Sequence, residues 1–228
     1  MAKVILILGE SGGGKTASVE YLPYKNTTII QPEQKELPWK DSEKQYTRFD
    51  KEANTGNLFV SDKTTSIAKY LKHVSDNRPD IRFVVIDDNQ YISLFTFTSR
   101  INEKSFDKFN DIAVNMVDLV RFCKKLRNNL QIFILQHIEV GETVTGERIV
   151  QAKTMGKFVK EKVTYEGLFT TVLLADKEED DENEGDLKYF FWTRKINSTV
   201  KSPKGMFVDQ KIPNNLYTVA KRIHEYYG

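Results

Sequence analysis

The chain is poor in cysteine, proline and tryptophan, with one, six and two of them in 228 residues. A lone Cys123 cannot close an internal disulfide, and its place in an apolar helical pattern reads as a packed core thiol. Long apolar runs are missing as well. The stretch at 4–8 is too short for a secretory signal, so the expectation is a cytoplasmic protein with no membrane partner. A large excess of either charge is also absent, since 34 Lys and Arg face 32 Asp and Glu for a net +2. What is present is 39% apolar residues, enough for a real core, and 29% charged residues, as in a soluble protein. The length suits a single α/β domain over residues 1–228.

The small net charge hides an asymmetry. Residues 176–187 carry eight acidic side chains against Lys177, which leaves the rest of the chain at +9. Beyond that segment, Lys188, Arg194, Lys195, Lys201, Lys204, Lys211, Lys221 and Arg222 face only Asp209 and Glu225. Two readings stand: a solvated acidic loop beside ordinary surface lysines, or a basic surface for phosphates such as those of nucleic acid.

One motif outweighs composition. Gly9-Glu10-Ser11-Gly12-Gly13-Gly14-Lys15-Thr16 follows the apolar run Val4-Ile5-Leu6-Ile7-Leu8 and precedes an expected helix from Ala17 to Leu22. That strand, glycine-rich loop and helix is the setting of a P-loop. Glycines let successive backbone N–H groups turn inward around phosphates, and a helix N-terminus adds partial positive charge. Gly9 to Ala17 is therefore the expected nucleotide-binding segment. Lys15 is its charge on the β- and γ-phosphates, and the Thr16 hydroxyl is a ligand of Mg²⁺.

The remaining periodicity alternates strands and helices. Short strands are expected at 27–30 and 57–60, separated by a polar loop over 31–56. A helix is expected from Thr64 to Ser75, a buried strand from Ile81 to Ile86, a long helix from Phe106 to Arg127 and a strand from Gln131 to His137. Val140 to Val150 reads as a hairpin or loop with Gly141 and Gly146 at its bends. Phe169–Ala175 and Tyr189–Thr193 suggest an antiparallel pair, and Asn214 or Asn215 caps a last helix. The whole predicts a mostly parallel sheet flanked by helices, with antiparallel strands added near the C-terminus.

Phe83-Val84-Val85-Ile86-Asp87-Asp88 is the expected partner of the loop, because ligands of open α/β sheets sit at the carboxyl ends of the strands. Asp87 reads as the Mg²⁺-holding Walker B aspartate and Asp88 as the base that orients the attacking water, with Glu33 and Asp62 as competitors. At the end of the next strand, Gln136 or His137 is placed to sense a γ-phosphate. Either residue also suits a structural hydrogen bond.

GESGGGKT, FVVIDD, ILQH and TRKINSTVKSPKG together resemble the phage-encoded RecA-like P-loop ATPases associated with recombination and single-strand annealing. The resemblance runs through nearly the whole chain, and the strand at 57–60, inserted between the two Walker strands that are neighbours in the kinase–GTPase branch, also suits the RecA-like branch. It implies a RecA-like core, ATP with Mg²⁺, DNA as partner (single-stranded favoured), and homo-oligomers in a ring or filament. It also implies a basic residue near the γ-phosphate, supplied within the chain or by a neighbouring subunit, from Lys195, Lys201 or Lys204, with Lys201 favoured and its neighbours assigned to DNA phosphates. The leading expectation is an ATPase acting on DNA in phage replication or recombination. A P-loop kinase is the alternative, weakened by scattered arginines where a closing lid needs several. A slow nucleotide-dependent assembly protein is another.

Overall fold

Apolar side chains that alternate between strand faces build a sheet covered on both sides. The computed structural model describes residues 1–104, 107–143, 145–154, 164–180, 183 and 185–228. Its strands are β1 (Lys3–Gly9), β2 (Thr27–Gln31), β3 (Leu58–Val60), β4 (Phe83–Ile86), β5 (Gln131–Glu142), β6 (Arg148–Ala152), β7 (Thr171–Glu179), β8 (Leu187–Trp192) and β9 (Lys211–Pro213). They form one sheet in the order β3-β2-β4-β5-β1-β7-β8-β9, with β6 paired to the far half of β5. From β3 to β7 the pairs are parallel, whereas β6, β8 and β9 join antiparallel. The fold is thus α/β with a mostly parallel sheet and antiparallel strands near the C-terminus, as expected.

Helices among the described residues are α1 (Ser42–Gln45), α2 (Thr64–Asn77), α3 (Gln90–Ser99), α4 (Asp107–Lys125) and α5 (Leu216–Tyr227). Because successive strand residues face opposite ways, even-numbered Leu6, Leu8, Val84, Ile86, Ile132 and Ile134 pack under α2, α3 and α4. Odd-numbered Ile5, Ile7, Val85, Phe133 and Leu135 pack under α5 and the segment at Met206 and Phe207. Each such side chain contributes about 1.5–3 kcal/mol on burial, so a centre covered on both faces holds β1, β4 and β5 rigidly. Their carboxyl ends carry the residues considered below. Cys123 is buried in the first of these layers, and burial pushes its thiol up to about 12, as suits an inert core thiol.

Several expectations are corrected. The segment after the glycine-rich loop is a single 3-10 turn, Ala17–Tyr21, not an α-helix. Pro23 explains this, since proline disfavours helical backbone at the preceding residue, and Leu22 is extended with φ −71 and ψ 141. The 57–60 strand is β3 at the sheet edge, where a short, half-buried strand is tolerated. The strand that stands between β1 and β4 in space is instead β5. Residues 90–99, for which the periodicity predicts no element, form α3. Gly146, with φ +82, bends the β5–β6 hairpin, whereas Gly141 sits inside β5 opposite Ile149. Asn215 caps α5, its Oδ1 accepting from the Thr218 amide at 3.0 Å. Phe106 and acidic residues 181, 182 and 184 lie outside the described residues. No helix among the described residues is long and apolar enough to cross a membrane.

Candidate functional site

Parallel register brings three strand ends together. Gly9 of β1 lies level with His137 of β5 and Ala175 of β7, and Ile86 of β4 lies level with Ile134 of β5. The chain therefore leaves β1 and β4 on the same rim, with residues 10–16 beside Asp87 and Asp88. Gly12 and Gly14 take φ of +72 and +88, which side chains rarely adopt. A Cβ on Gly14 would also stand 2.9 Å from the Tyr189 ring of β8. Glycine is thus required there both by the backbone and by the close approach of β8.

A cleft of about 640 Å³ opens on this rim. Glu10, Ser11, Gly12, Gly14, Lys15, Thr16 and Ala17 line it, joined by Asp88 and His137. Gly9 and Gly13 lie behind them, close to the carbonyl oxygen of Ala175. The Lys15 ammonium donates to the Gly9 and Glu10 carbonyl oxygens at 2.9 and 2.8 Å. Burial lowers Lys15 to about 8 against the pull of Asp88 and Asp87, so it remains a cation near neutral pH that an anion in the cleft would stabilise.

Thr16 Oγ1 donates to Asp87 Oδ1 at 2.9 Å, tying the end of the loop to the end of β4. Asp87 is almost wholly buried, which pushes its carboxyl above the usual range although the Lys35 ammonium opposes this. Its Oδ2 faces Lys35 Nζ at 3.2 Å as an ion pair but accepts no hydrogen bond. A hydroxyl and a carboxylate are hard oxygen donors of the kind Mg²⁺ takes. Among the described residues no group of three His, Cys, Asp or Glu side chains is arranged around a metal. Among the described residues Thr16 and Asp87 are the pair that could hold such an ion.

Asp88 sits in the left-handed region with φ 55, a conformation in which aspartate is one of the few tolerated residues. Burial works to raise its carboxyl, but hydrogen bonds from His137 and Lys35 prevail and hold it well below the usual carboxylate range. His137 Nε2 is 3.3 Å from Asp88 Oδ1, while Lys35 Nζ bonds Asp88 Oδ2. Glu33 and Asp62 do not line the cleft, whereas Asp88 does, together with the exposed Glu10 and Glu20.

The chain matches no known protein-family model and no curated protein sequence.

Other expected residues lie elsewhere. Gln136 is fully buried and turned from the cleft, accepting from Asn89 Nδ2 at 2.9 Å and donating to the Lys153 carbonyl at 2.5 Å. His137 takes the cleft side of that strand end. Lys195 pairs with Asp176 at 3.3 Å and stacks 4.9 Å from the Trp192 ring. Lys201 forms an isolated bridge with Val172, three residues before Ala175, which is the level of Gly9. That is about 10 Å along the strand, beyond the reach of its side chain within one chain. Lys204 likewise does not line the cleft.

Four residues that line the cleft escaped sequence reasoning: Lys35, Tyr21, Tyr189 and Asn214. Asn214 Nδ2 is buried without a hydrogen-bond partner among the described residues. Nothing in the local sequence marks them, because the polar loop after β2, the 3-10 turn and the β8–β9 region meet only in the folded chain.

Proposed function

We propose that the chain binds a nucleoside triphosphate, ATP, on the 9–17 loop and hydrolyses it with Mg²⁺ as a RecA-like ATPase. The observation that carries this reading is the Thr16–Asp87 hydrogen bond beside the buried Lys15, which joins the two motifs at one rim of the sheet. The short 3-10 turn leaves little helix dipole, so phosphate recognition rests on loop N–H groups and on Lys15. Tyr189 and Tyr21 are half-exposed flat surfaces in the same cleft, and Asn214 offers it an amide, all of which suit a nucleobase.

Thr16 and Asp87 would hold Mg²⁺, which offsets charge on the phosphates. Asp88 orients a water whose oxygen bonds to the γ-phosphorus. The bond to the bridging oxygen breaks, its electron pair leaves with ADP, and the water proton passes to Asp88. The kinase alternative is less well supported. In that branch the two Walker strands are neighbours, whereas here β5 separates them, and no arginine among the described residues lines the cleft. Asp87→Asn is expected to keep the fold and to lose the Mg²⁺ dependence of turnover. Equal Mg²⁺ titrations for mutant and parent would remove Asp87 from that role.

We also propose single-stranded DNA as partner, on the support of a second cleft of about 480 Å³ at the amino ends of β1, β4 and β5. Lys3, Arg82 and Lys221 line it, without a carboxylate partner among the described residues. Tyr217 and Tyr227 add aromatic surface, and Gln131 Oε1 is buried without a partner. Cations interleaved with aromatics suit a polynucleotide backbone and its bases. Replacing Lys3, Arg82 and Lys221 by alanine is expected to flatten the log–log salt dependence of binding by roughly 0.7 per lost phosphate contact. An unchanged slope for an oligonucleotide titrated against the triple mutant would refute this placement. A γ-phosphate role for Lys201 requires a second copy of the chain, as in a ring or filament.

A further inference from the structure

Lys35 is the basic residue whose position the motifs do not explain. It lies in the loop after β2, and the buried Gln31 side chain holds its backbone: Gln31 Nε2 donates to the Lys35 carbonyl at 3.1 Å. From that anchor Nζ reaches both strand-end acids, 3.2 Å from Asp87 Oδ2 and hydrogen-bonded to Asp88 Oδ2. The other oxygens of the two carboxylates are already engaged, Asp87 Oδ1 by Thr16 and Asp88 Oδ1 by His137. Lys35 therefore occupies the carboxylate oxygen of Asp87 that is left for a metal ion. It does so at the lip of the cleft, with its side chain 37% exposed and Lys15 and Thr16 as co-lining residues.

Two cations cannot share one carboxylate oxygen without strong repulsion, which a partly dry site screens poorly. A lysine, unlike an arginine, carries a compact charge on a flexible stem that can swing while its backbone stays fixed. The cleft beside it is where the terminal phosphate of a nucleotide held by Lys15 would lie. A ligand moves such a side chain only by binding the two positions unequally, and a γ-phosphate does that while a diphosphate does not.

We infer that Lys35 is a mobile counter-ion of the site. It closes the metal face of Asp87 and occupies Asp88 in the nucleotide-free protein, then transfers its ammonium to the terminal phosphate when a triphosphate binds. The inference rests on the nucleotide reading above and adds two properties to it: exclusion of free divalent cations, and preference for triphosphate over diphosphate supplied within one chain.

Calorimetry on the parent and on Lys35→Met tests this with three probes: MgCl₂ alone, Mg²⁺ with ADP, and Mg²⁺ with a non-hydrolysable ATP analogue. Lys35→Met is expected to bind Mg²⁺ alone about tenfold more tightly than the parent. It is also expected to lose about tenfold of the preference for the triphosphate analogue over ADP, the size of one charge-assisted hydrogen bond. Lys35→Arg, which keeps the charge, is expected to restore the exclusion of free Mg²⁺. If two facing carboxylates unfold Lys35→Met, the comparison moves to Lys35→Met with Asp88→Asn, against Asp88→Asn alone. Parental Mg²⁺ affinity and parental nucleotide preference in a folded Lys35 variant would overturn the inference while leaving the nucleotide reading intact. A parent that binds neither nucleotide overturns both.

Discussion

Lys15→Ala is expected to abolish ATP turnover and to weaken ADP and ATP binding by roughly ten- to a hundredfold, the value of a charge-assisted contact to phosphate. The size of the effect follows from the surroundings of this side chain. Lys15 is 5% exposed and lies against the loop that carries it, so no solvent ion replaces it cheaply. Lys35 is the other cation in the cleft, and it is bound to Asp87 and Asp88. Stability should change little, because the desolvation cost of holding the ammonium offsets the hydrogen bonds it gives to the Gly9 and Glu10 carbonyl oxygens. Titration calorimetry with ADP, a phosphate-release assay and a melting curve together check this. Parental turnover in a folded Lys15→Ala protein would end the assignment of the glycine-rich loop to phosphate binding.

Asp88→Asn is expected to leave nucleotide binding within a few-fold of the parent and to slow turnover at saturating ATP by about two to four orders of magnitude. Asparagine tolerates the left-handed backbone that Asp88 adopts at φ 55 and keeps the side chain's shape, so the change removes charge and basicity together with one of the two acceptors that His137 and Lys35 use. Among the described residues Glu33 and Asp62 do not line the cleft, so neither is placed to take over the role. Glu10 and Glu20 do line it, but on exposed positions, whereas Asp88 is buried. Single-turnover kinetics separates the chemical step from binding, and a mutant with near-parental rate would remove Asp88 from the water-orienting role. Lys35 and His137 both contact Asp88, so their effects on turnover are expected to be non-additive with this substitution.

Both predictions lean on how differently the parts of the site are written in the chain. Lys15, Thr16 and Asp87 sit in contiguous patterns whose spacing is imposed by local chemistry. Inward-facing amides require glycines in succession, and a buried strand that ends at a ligand reads as apolar residues followed by acid. The contact between Thr16 and Asp87 was likewise foreseeable, because parallel strands place their carboxyl ends on one rim. Lys201 was the opposite case. Its basic neighbourhood drew attention, yet a bridge to Val172 holds its backbone near the amino end of β7, and charge pattern alone carries no information on strand register.

The sequence by itself determined the α/β class, the mostly parallel sheet, the antiparallel strands near the C-terminus, the loop at 9–16 and the acids at 87 and 88. These follow from short-range rules: period-two burial, glycine conformations and the residues that end a strand. Tertiary structure alone decided that β5 stands between β1 and β4, and that His137 rather than Gln136 faces the cleft. It also decided that Lys35 bridges Asp87 and Asp88. The reason is that each depends on contacts between residues distant in the chain, 52 and 53 apart for Lys35. Such contacts are set by which elements share a core, and no local pattern of residues encodes that.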